Sequence, residues 1–530
     1  MKRLGLAAVA VALALVAAGC TPTAPEPAGT AASGEPQSGG TILAVQRYAV
    51  PGGIDFLTNH DRGLPNMIAQ GYSTLVDFDA DADVVGVKIT PDLAEDWDIS
   101  DDGLVYTFHL DPDARFHDIP PVNGRPVTAE DVVATFEAII RENAITAYQF
   151  TVVESIEAID DRTVEFRLSE PMSPMLENLA MSPNYIVPIE GIEGDYDMDS
   201  TLIGSGPFIL RDFDPESIWR FERNPDYFKD DLPFADEFNI LIIPDGAAIP
   251  PALRSGQVNY SPVAQRADVD ALVKTGRFES VNQPLGPELL FINTAAAPFD
   301  DIRVRKAIAQ AIDWDGMGSA IRGDYKLTSV IPPQLGGMSE DELRRVRPYD
   351  PDSAQQLLAE AGYPDGFSAT MVVQQFDGYD VSEAEWIAED LKKIGIDLQL
   401  ELVDSGTYNA RQQSGEFELM RGLRTVPTAD RYMNDYLSTS GSNFSKVDDP
   451  KIDELIQAYR SELDQERRNE IASEFTTYFE TEVLHVIAGP MTSQTWVWST
   501  GVHNPYTSND GLAPSVFGYG NIFEQMWLVQ

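Results

Sequence analysis

The chain has 530 residues, 43% of them hydrophobic, with 85 acidic against 37 basic side chains and a formal net charge of −48. That balance excludes a nucleic-acid binder and disfavours anionic membrane surfaces, while the length allows two or three domains with sizeable cores. A single cysteine excludes an internal disulfide, so stability has to come from packing.

The first twenty residues, "MKRLGLAAVAVALALVAAGC", place Lys2 and Arg3 before an uncharged apolar run from Leu4 to Ala18. The run is short of the roughly 20 residues needed to span a bilayer and has the form of a secretory signal peptide, 1–20. "VAAGC" resembles a bacterial lipobox, fitting at Ala18 and Gly19 and departing at Ala17, where a leucine is usual. On that reading Cys20 is lipidated after cleavage; the alternative is an ordinary signal with an incidental cysteine. Residues 21–40 hold no large apolar side chain and read as a flexible tether.

From there hydrophobic periodicity predicts alternating strands and helices. "GGTILAVQR" (39–47) is a strand. "LVYTFHL" (104–110) alternates with Leu104, Tyr106, Phe108 and Leu110 on one face. "TAEDVVATFEAII" (128–140) switches to helical spacing, with Val132, Val133, Phe136, Ile139 and Ile140 as its stripe and Thr128 with Asp131 as a capping box. "RTVEFRL" (162–168) alternates again, "GSGPF" (204–208) reads as a tight backbone turn, and "FNILIIP" (238–244) as a buried strand. "GAAIPPALRSGQVNY" gives a helix ending near Gly256 and a short strand after it.

Further on, "DDIRVRKAIAQAID" (300–313) and "DPDSAQQLLAEAGY" (350–363) are helices, the second stopped by Gly362. Ser382 and Glu385 look like a capping box for a helix closed by Gly395, followed by the strand "IDLQLEL" (396–402). Two amphipathic helices, "DPKIDELIQAYRSEL" and "QERRNEIASEFTTYFETE", complete an α/β alternation without internal repeats.

No catalytic or metal chemistry stands out. The five histidines, His60, His109, His117, His485 and His503, have no metal-ligand spacing, and there is no HExxH, CxxC, GxSxG or Walker loop. His109 reads as a packing residue of its strand. In so acidic a chain, pairs such as Asp101–Asp102 or Asp300–Asp301 carry almost no information. The expectation is no enzyme, no cofactor and no metal.

Several ordered blocks resemble the family 5 extracellular solute-binding proteins, the peptide and nickel receptors of ABC importers. They are "LAEDWDISDDGLVYTFHLDPDARFHD" with "VTAEDVVATFEAI", then "GSGPFIL", "RNPDYF", "FINTAAAPFDDIRVRKAIAQAID", "PYDPDSAQQLLAEAGYPDGF", "LKKIGIDLQLELVD" and "DDPKIDELIQAY", together spanning about 40–530. The resemblance implies a two-lobed α/β fold of the type II periplasmic-binding-protein kind, with an extra subdomain inserted in the first lobe. Family proportions put lobe I at 41–288 and 491–530, its subdomain at about 59–201, and lobe II at 289–490. A solute, by default a peptide, would be held between the lobes and passed to the transmembrane subunits of a permease. The protein would be a monomer on the outer face of the cytoplasmic membrane, held by the lipid on Cys20. A receptor of the same fold for an oligosaccharide, an organic anion or a metal complex, or a ligand-sensing surface lipoprotein without import, is the alternative.

The resemblance also points to site residues. Peptide receptors of the family carry a tryptophan and an aspartate near the position of "ELMRGLRTVPTADRYMNDYL" (418–437); the aspartate pairs with the ligand's α-amine. Here the aromatic is missing, Thr425 or Val426 falls near the acid position, and the nearest acid is Asp430. Arg421 and Arg424 stand there instead, and a guanidinium fork suits a carboxylate or phosphate. Either these arginines favour an anionic ligand, or they bridge to the abundant surface acids. Tyr48, Asn293, Tyr260, Trp496 and Trp498 are cleft candidates by position, the two tryptophans sharing one face of a strand.

Overall fold

A computed structural model describes residues 35–50, 52–61, 63–79, 88–144, 146–295, 297–323, 325–374, 378–424, 428–507 and 522–529. The signal, Cys20, most of the tether, and Thr425, Val426 and Pro427 lie outside the described residues.

In chain order the strands are β1 (Thr41–Gln46), β2 (Val76–Phe78), β3 (Ile89–Pro91), β4 (Ala94–Ile99), β5 (Val105–Leu110), β6 (Val153–Asp160), β7 (Thr163–Leu168), β8 (Phe208–Asp214), β9 (Ile218–Arg223) and β10 (Glu237–Ile242). The first sheet runs β1-β10-β9-β8, with β1 and β10 parallel and the rest antiparallel. The second, β4-β5-β7-β6, is antiparallel throughout. Its strand β5 buries Tyr106, Phe108 and Leu110, as the alternation requires.

The helix Ala129–Arg141 packs on this second sheet. Thr128 and Asp131 do form its capping box, the Asp131 carboxylate accepting from the Thr128 backbone N–H at 2.9 Å. The expected stripe needs one correction. Ile140 is 42% exposed, and the buried face is completed by Thr135 and Ala138 instead. His109 is also corrected: it sits on the solvent side of β5, 3.7 Å from Asp98, rather than in the core.

"GSGPF" is a close backbone approach. A Cβ on Gly204 would fall 2.1 Å from the Gly71 carbonyl oxygen, and one on Gly206 2.6 Å from the Gly71 carbonyl carbon. His117 is buried against this turn. Its Nε2 lies 3.1 Å from the Gly206 carbonyl oxygen, and its Nδ1 accepts from the Gly204 N–H at 3.4 Å.

The remaining strands are β11 (Tyr260–Pro262), β12 (Phe278–Ile292), β13 (Phe367–Gln374), β14 (Ile396–Val403), β15 (Leu419–Leu423), β16 (Val486–Ser499), β17 (Val502–His503) and β18 (Trp527–Leu528). Six of them form one mixed sheet, β11-β16-β12-β15-β13-β14. In its second half neighbouring residues point to opposite cores. Leu289, Phe291, Val372, Met420 and Val486 enter one cluster, while Leu290, Ile292, Met371, Val373, Leu419 and Ile487 enter another. A sheet buried on both faces needs this unbroken apolar sequence, with helices covering each side.

The helix expected to start at Ser382 starts at Gly378. Its register is set by tertiary packing, which turns Glu383, Ala384, Ile387 and Leu391 inward and leaves Ser382 inside the helix rather than at its cap. Gly395, with φ of 91°, closes the segment as expected.

Two long antiparallel strands, β12 and β16, connect the cores. The first core draws on residues between Ile42 and Val281 and again between Trp496 and Met526. The others draw on Leu289 to Ala488. Packing therefore changes hands between Val281 and Leu289 on β12 and between Ala488 and Trp496 on β16. These stretches lie side by side, with Asn282 opposite Thr495 and Pro287 opposite Met491, and the register shifts at Pro284/Gly286 and at Pro287/Leu289.

Burial pushes the His117 imidazole down to about 4, the Gly206 carbonyl offsetting only part of that cost. A ring whose folded pKa lies below its unfolded value of about 6.5 adds stability that is complete above pH 6.5 and is lost as pH falls through about 4. His117→Gln is expected to flatten that part of the stability–pH curve by about 3 kcal/mol. Urea unfolding of both proteins between pH 4 and 7 measures it; parallel curves would contradict the assignment.

Candidate functional site

The paired crossing segments of β12 and β16 form the floor of a cavity of about 1070 Å³. One wall comes from the first core's side, with Tyr48, His60, Asp61, Gly246 and Val263. The opposite wall comes from β15 and the helix Ser405–Ser414, with Asn409, Gln412, Gln413 and Arg424. The floor contributes Asn282, Leu285, Glu288, Thr492, Ser493 and Gln494. Neutral amides and hydroxyls share this lining with Arg47, Arg266, Arg322, Arg421 and Arg424, and with apolar patches at Ile249, Pro262 and Val263 and at Phe291, Leu423, Phe444 and Met491.

Arg421 lines this cavity but does not reach toward surface acids. It is 6% exposed and belongs to a buried lattice of two arginines and two glutamates. Its guanidinium lies 2.7 Å from Glu288 and donates from Nε to Glu383 at 3.0 Å. Arg322 donates to the same two acids, at 3.0 Å to Glu288 and 2.7 Å to Glu383. Burial works against the Arg322 charge, but Glu383 and Glu288 outweigh it and hold the guanidinium above its ordinary pKa. Four elements meet in this lattice: β12, the turn Gly318–Arg322, the helix Gly378–Lys393 and β15.

Arg424 follows the same pattern. It lines the cavity and forms a two-point pair with Asp435, donating at 2.7 Å to one carboxylate oxygen and lying 2.5 Å from the other. Burial opposes its charge and Asp435 more than restores it, so its pKa is also raised. Asp430 faces away from the cavity and holds Arg460 at 2.6 Å. Arg431 lies 4.6 Å over the Tyr148 ring.

The positional candidates separate. Tyr48 lines the cavity, its hydroxyl accepting from Asn66 at 3.2 Å. Tyr260 and Trp496 stack on each other at 5.1 Å inside the first core, and Trp498 is buried with its indole N–H donating to Glu279. The two tryptophans enter that core because alternate residues of β16 point into it, and Tyr260 joins them from the paired strand β11, while the neighbouring Thr495 faces the cavity. Asn293 lies beyond the floor and donates to the Gly415 and Phe417 carbonyls at 2.9 Å each, bracing a loop. Among the described residues no group of three or more histidine, cysteine or carboxylate side chains is arranged to hold a metal.

Sequence reading missed Arg322, Glu288, Glu383, Asp435 and Asp61. Two of them left a signal. Glu383 falls on the apolar stripe with Ile387 and Leu391, and Glu288 stands alone before the apolar run "LLFI". A charge on an otherwise buried face implies a buried partner.

The two halves also touch away from the floor. Ser173 donates from its backbone N–H to the Arg460 carbonyl at 2.7 Å and from its hydroxyl to the Tyr459 carbonyl at 3.1 Å. Glu177 lies half-buried beside this contact and is pushed up to about 8, desolvation outweighing the nearby Arg468.

Comparison with known proteins gives a consistent picture. The sequence profile of the bacterial extracellular solute-binding proteins, family 5, middle region, matches residues 88–444. Di/tripeptide-binding protein 1 of Pseudomonas aeruginosa strain UCBPP-PA14 is 30% identical over 445 residues, covering 76% of this chain and 82% of that protein. The fold is similar to that of DppA, an ABC transporter-associated periplasmic binding protein from Helicobacter pylori solved with the peptide STSA. The TM-score is 0.79 at 24% identity, over 93% of this chain and 99% of that one. It is equally similar to AgaA from A. tumefaciens R10, solved with agropinic acid, at a TM-score of 0.78, 24% identity, and 93% and 99% coverage.

Arg421→Ala leaves Glu288 and Glu383 buried with a single arginine between them. Breaking such a lattice on one side is expected to cost about 3 kcal/mol or more. Denaturant unfolding of the ligand-free protein reads it directly, and a loss under about 1 kcal/mol would mean that the lattice is solvated in solution.

Proposed function

The chain belongs to the bacterial extracellular solute-binding proteins of family 5, and from that premise we propose that it captures a short peptide or a closely similar solute in the cleft above β12 and β16 and hands it to an ABC permease. The supporting observation is the cleft lining. Its amides and hydroxyls can hydrogen-bond peptide groups whatever the side chains, and its arginines at the floor are already matched by carboxylates. An anionic group placed at the floor would have to compete with those internal acids. A ligand carrying both charges, or neither, does not.

In this reading the first core and the residues returning after Trp496 are lobe I, and residues between Leu289 and Ala488 are lobe II. The inserted sheet β4-β5-β7-β6 and its helix form the subdomain. The lobes approach each other by bending at the irregular pairing of Pro284 to Leu289. Tyr48, Arg421 and Arg424 are proposed as cleft-wall residues. Asp430, Asn293, Tyr260, Trp496 and Trp498 are left out of the site because of where their side chains point.

Ligand binding to the folded state must raise its apparent stability, by about 4 kcal/mol at a thousandfold excess over Kd. Thermal unfolding of the purified protein is expected to shift upward with dipeptides and tripeptides. Oligosaccharides, nickel–histidine and organic dicarboxylates are expected to leave it unchanged. A shift with any of those alone, and none with peptides, would replace the peptide reading by the matching alternative.

We also propose that the protein is held at the outer face of the membrane by lipid on Cys20. The lipobox resemblance and the extracytoplasmic family support this. The mass of the N-terminal peptide after detergent extraction is expected to include a diacylglyceryl group at Cys20; an unmodified thiol would overturn the anchor.

A further inference from the structure

We propose that Asp61, together with the ring of Tyr48, is the cleft's receptor for a primary ammonium group on the ligand. The inference rests on the cleft reading above and deepens it. Three carboxylates line the cavity: Asp61, Glu288 and Asp435. Glu288 is shared by Arg322 and Arg421, and Asp435 is held at two points by Arg424. Those two acids are neutralised by arginines of lobe II. Asp61 is different. Among the described residues no lysine, arginine or histidine pairs with it, and its carboxylate accepts one internal bond, from the Gly63 N–H at 2.7 Å.

The corner around Asp61 is built for a small cation. A Cβ on Gly63 would stand 2.1 Å from Tyr48 Cε2 and 3.1 Å from Asp61 Oδ1, so ring and carboxylate close over the same bare Cα. The Asn66 side-chain amide fixes the ring by donating to its hydroxyl. Tyr48 stays 38% exposed, presenting aromatic surface beside the acid. An ammonium gains from both neighbours, through a charge-assisted hydrogen bond to the carboxylate and through the negative face of the ring. Lobe I would therefore read the cationic end of the ligand, opposite the amide-lined wall of lobe II. Asp430, the acid nearest the segment where the family pattern places its ammonium partner, is occupied by Arg460.

The test is calorimetric titration of the purified protein with alanyl-phenylalanine and with its N-acetyl form. For the wild type, acetylation is expected to weaken binding by about tenfold to a hundredfold. Asp61→Asn should lose the same factor for the free amine and bind both forms alike. Tyr48→Leu, which keeps the carboxylate, should lose about two- to fivefold for the free amine only. If Asp61→Asn binds the free dipeptide as the wild type does, the ammonium is read elsewhere; the inference falls and the peptide reading stands. If the wild type binds neither form, the peptide reading falls and takes this inference with it. Should Asp61→Asn melt well below the wild type, Tyr48→Leu carries the decision: an equal loss for both forms, or none, overturns the proposal.

Discussion

The architecture depends on one pairing, that of β12 with β16. Each strand belongs to two cores in turn, and the stretch between cores cannot be apolar on both faces because no core covers it there. The sequence meets this with polar residues that bond to each other. Thr495 donates to the Asn282 side chain at 3.0 Å, and Thr492 donates to the Gly286 carbonyl at 2.8 Å. Over residues 282–286 β16 is the one strand among the described residues that pairs with β12; β15 joins at Glu288, and the Arg424 N–H donates to the Pro287 carbonyl at 3.3 Å. An open edge tolerates Pro284 and Pro287, which a central strand would not. The same feature gives the cleft its floor.

Charge is distributed by a similar logic. The chain carries a large negative excess, yet the cleft floor is nearly balanced because arginines are concentrated there against buried glutamates. Replacing such a lattice by apolar residues would often be no less stable, whereas breaking it on one side is costly. Its use here is positional. It ties β12, β15, one turn and one helix together just below the crossing.

Much of the fold was legible in the sequence, and the exceptions have physical causes. Local signals sufficed where one element serves one core: the alternation of β5 and β14, the capping box at Thr128, the glycine stops at Gly256 and Gly395. The strand β12 was not legible, because Pro284, Gly286 and Pro287 interrupt its pattern with turn-forming residues. Only long-range pairing with β16 makes them strand. The start of the helix at Gly378 was hidden for the same kind of reason, since packing rather than a cap sets it. Arg421 and Arg424 were visible as a basic cluster opposite an expected ligand. Their partners Glu383, Glu288 and Asp435 come from other segments, and no spacing rule connects them. Asp61 looked like any other surface acid. Its distinction is the absence of an internal cation among the described residues, which is a property of the folded neighbourhood.

The location of the floor also bears on selectivity. A ligand shifts a two-state protein only by binding one state more tightly than the other. Contacts to Asn282, Thr492 or Gln494 belong to the crossing itself and are available whether the walls are apart or together. Contacts to Tyr48 and Asp61 on one side and to Asn409 and Gln412 on the other require both walls at once. In the proposed closure the walls would choose the closed state, and the floor would add affinity without choosing one. On that proposal a solute that satisfies the floor alone would bind without closing the cleft, and one that spans both walls would close it. In a receptor whose strongest ionic groups already satisfy each other, discrimination falls to the few wall groups that still have bonding capacity.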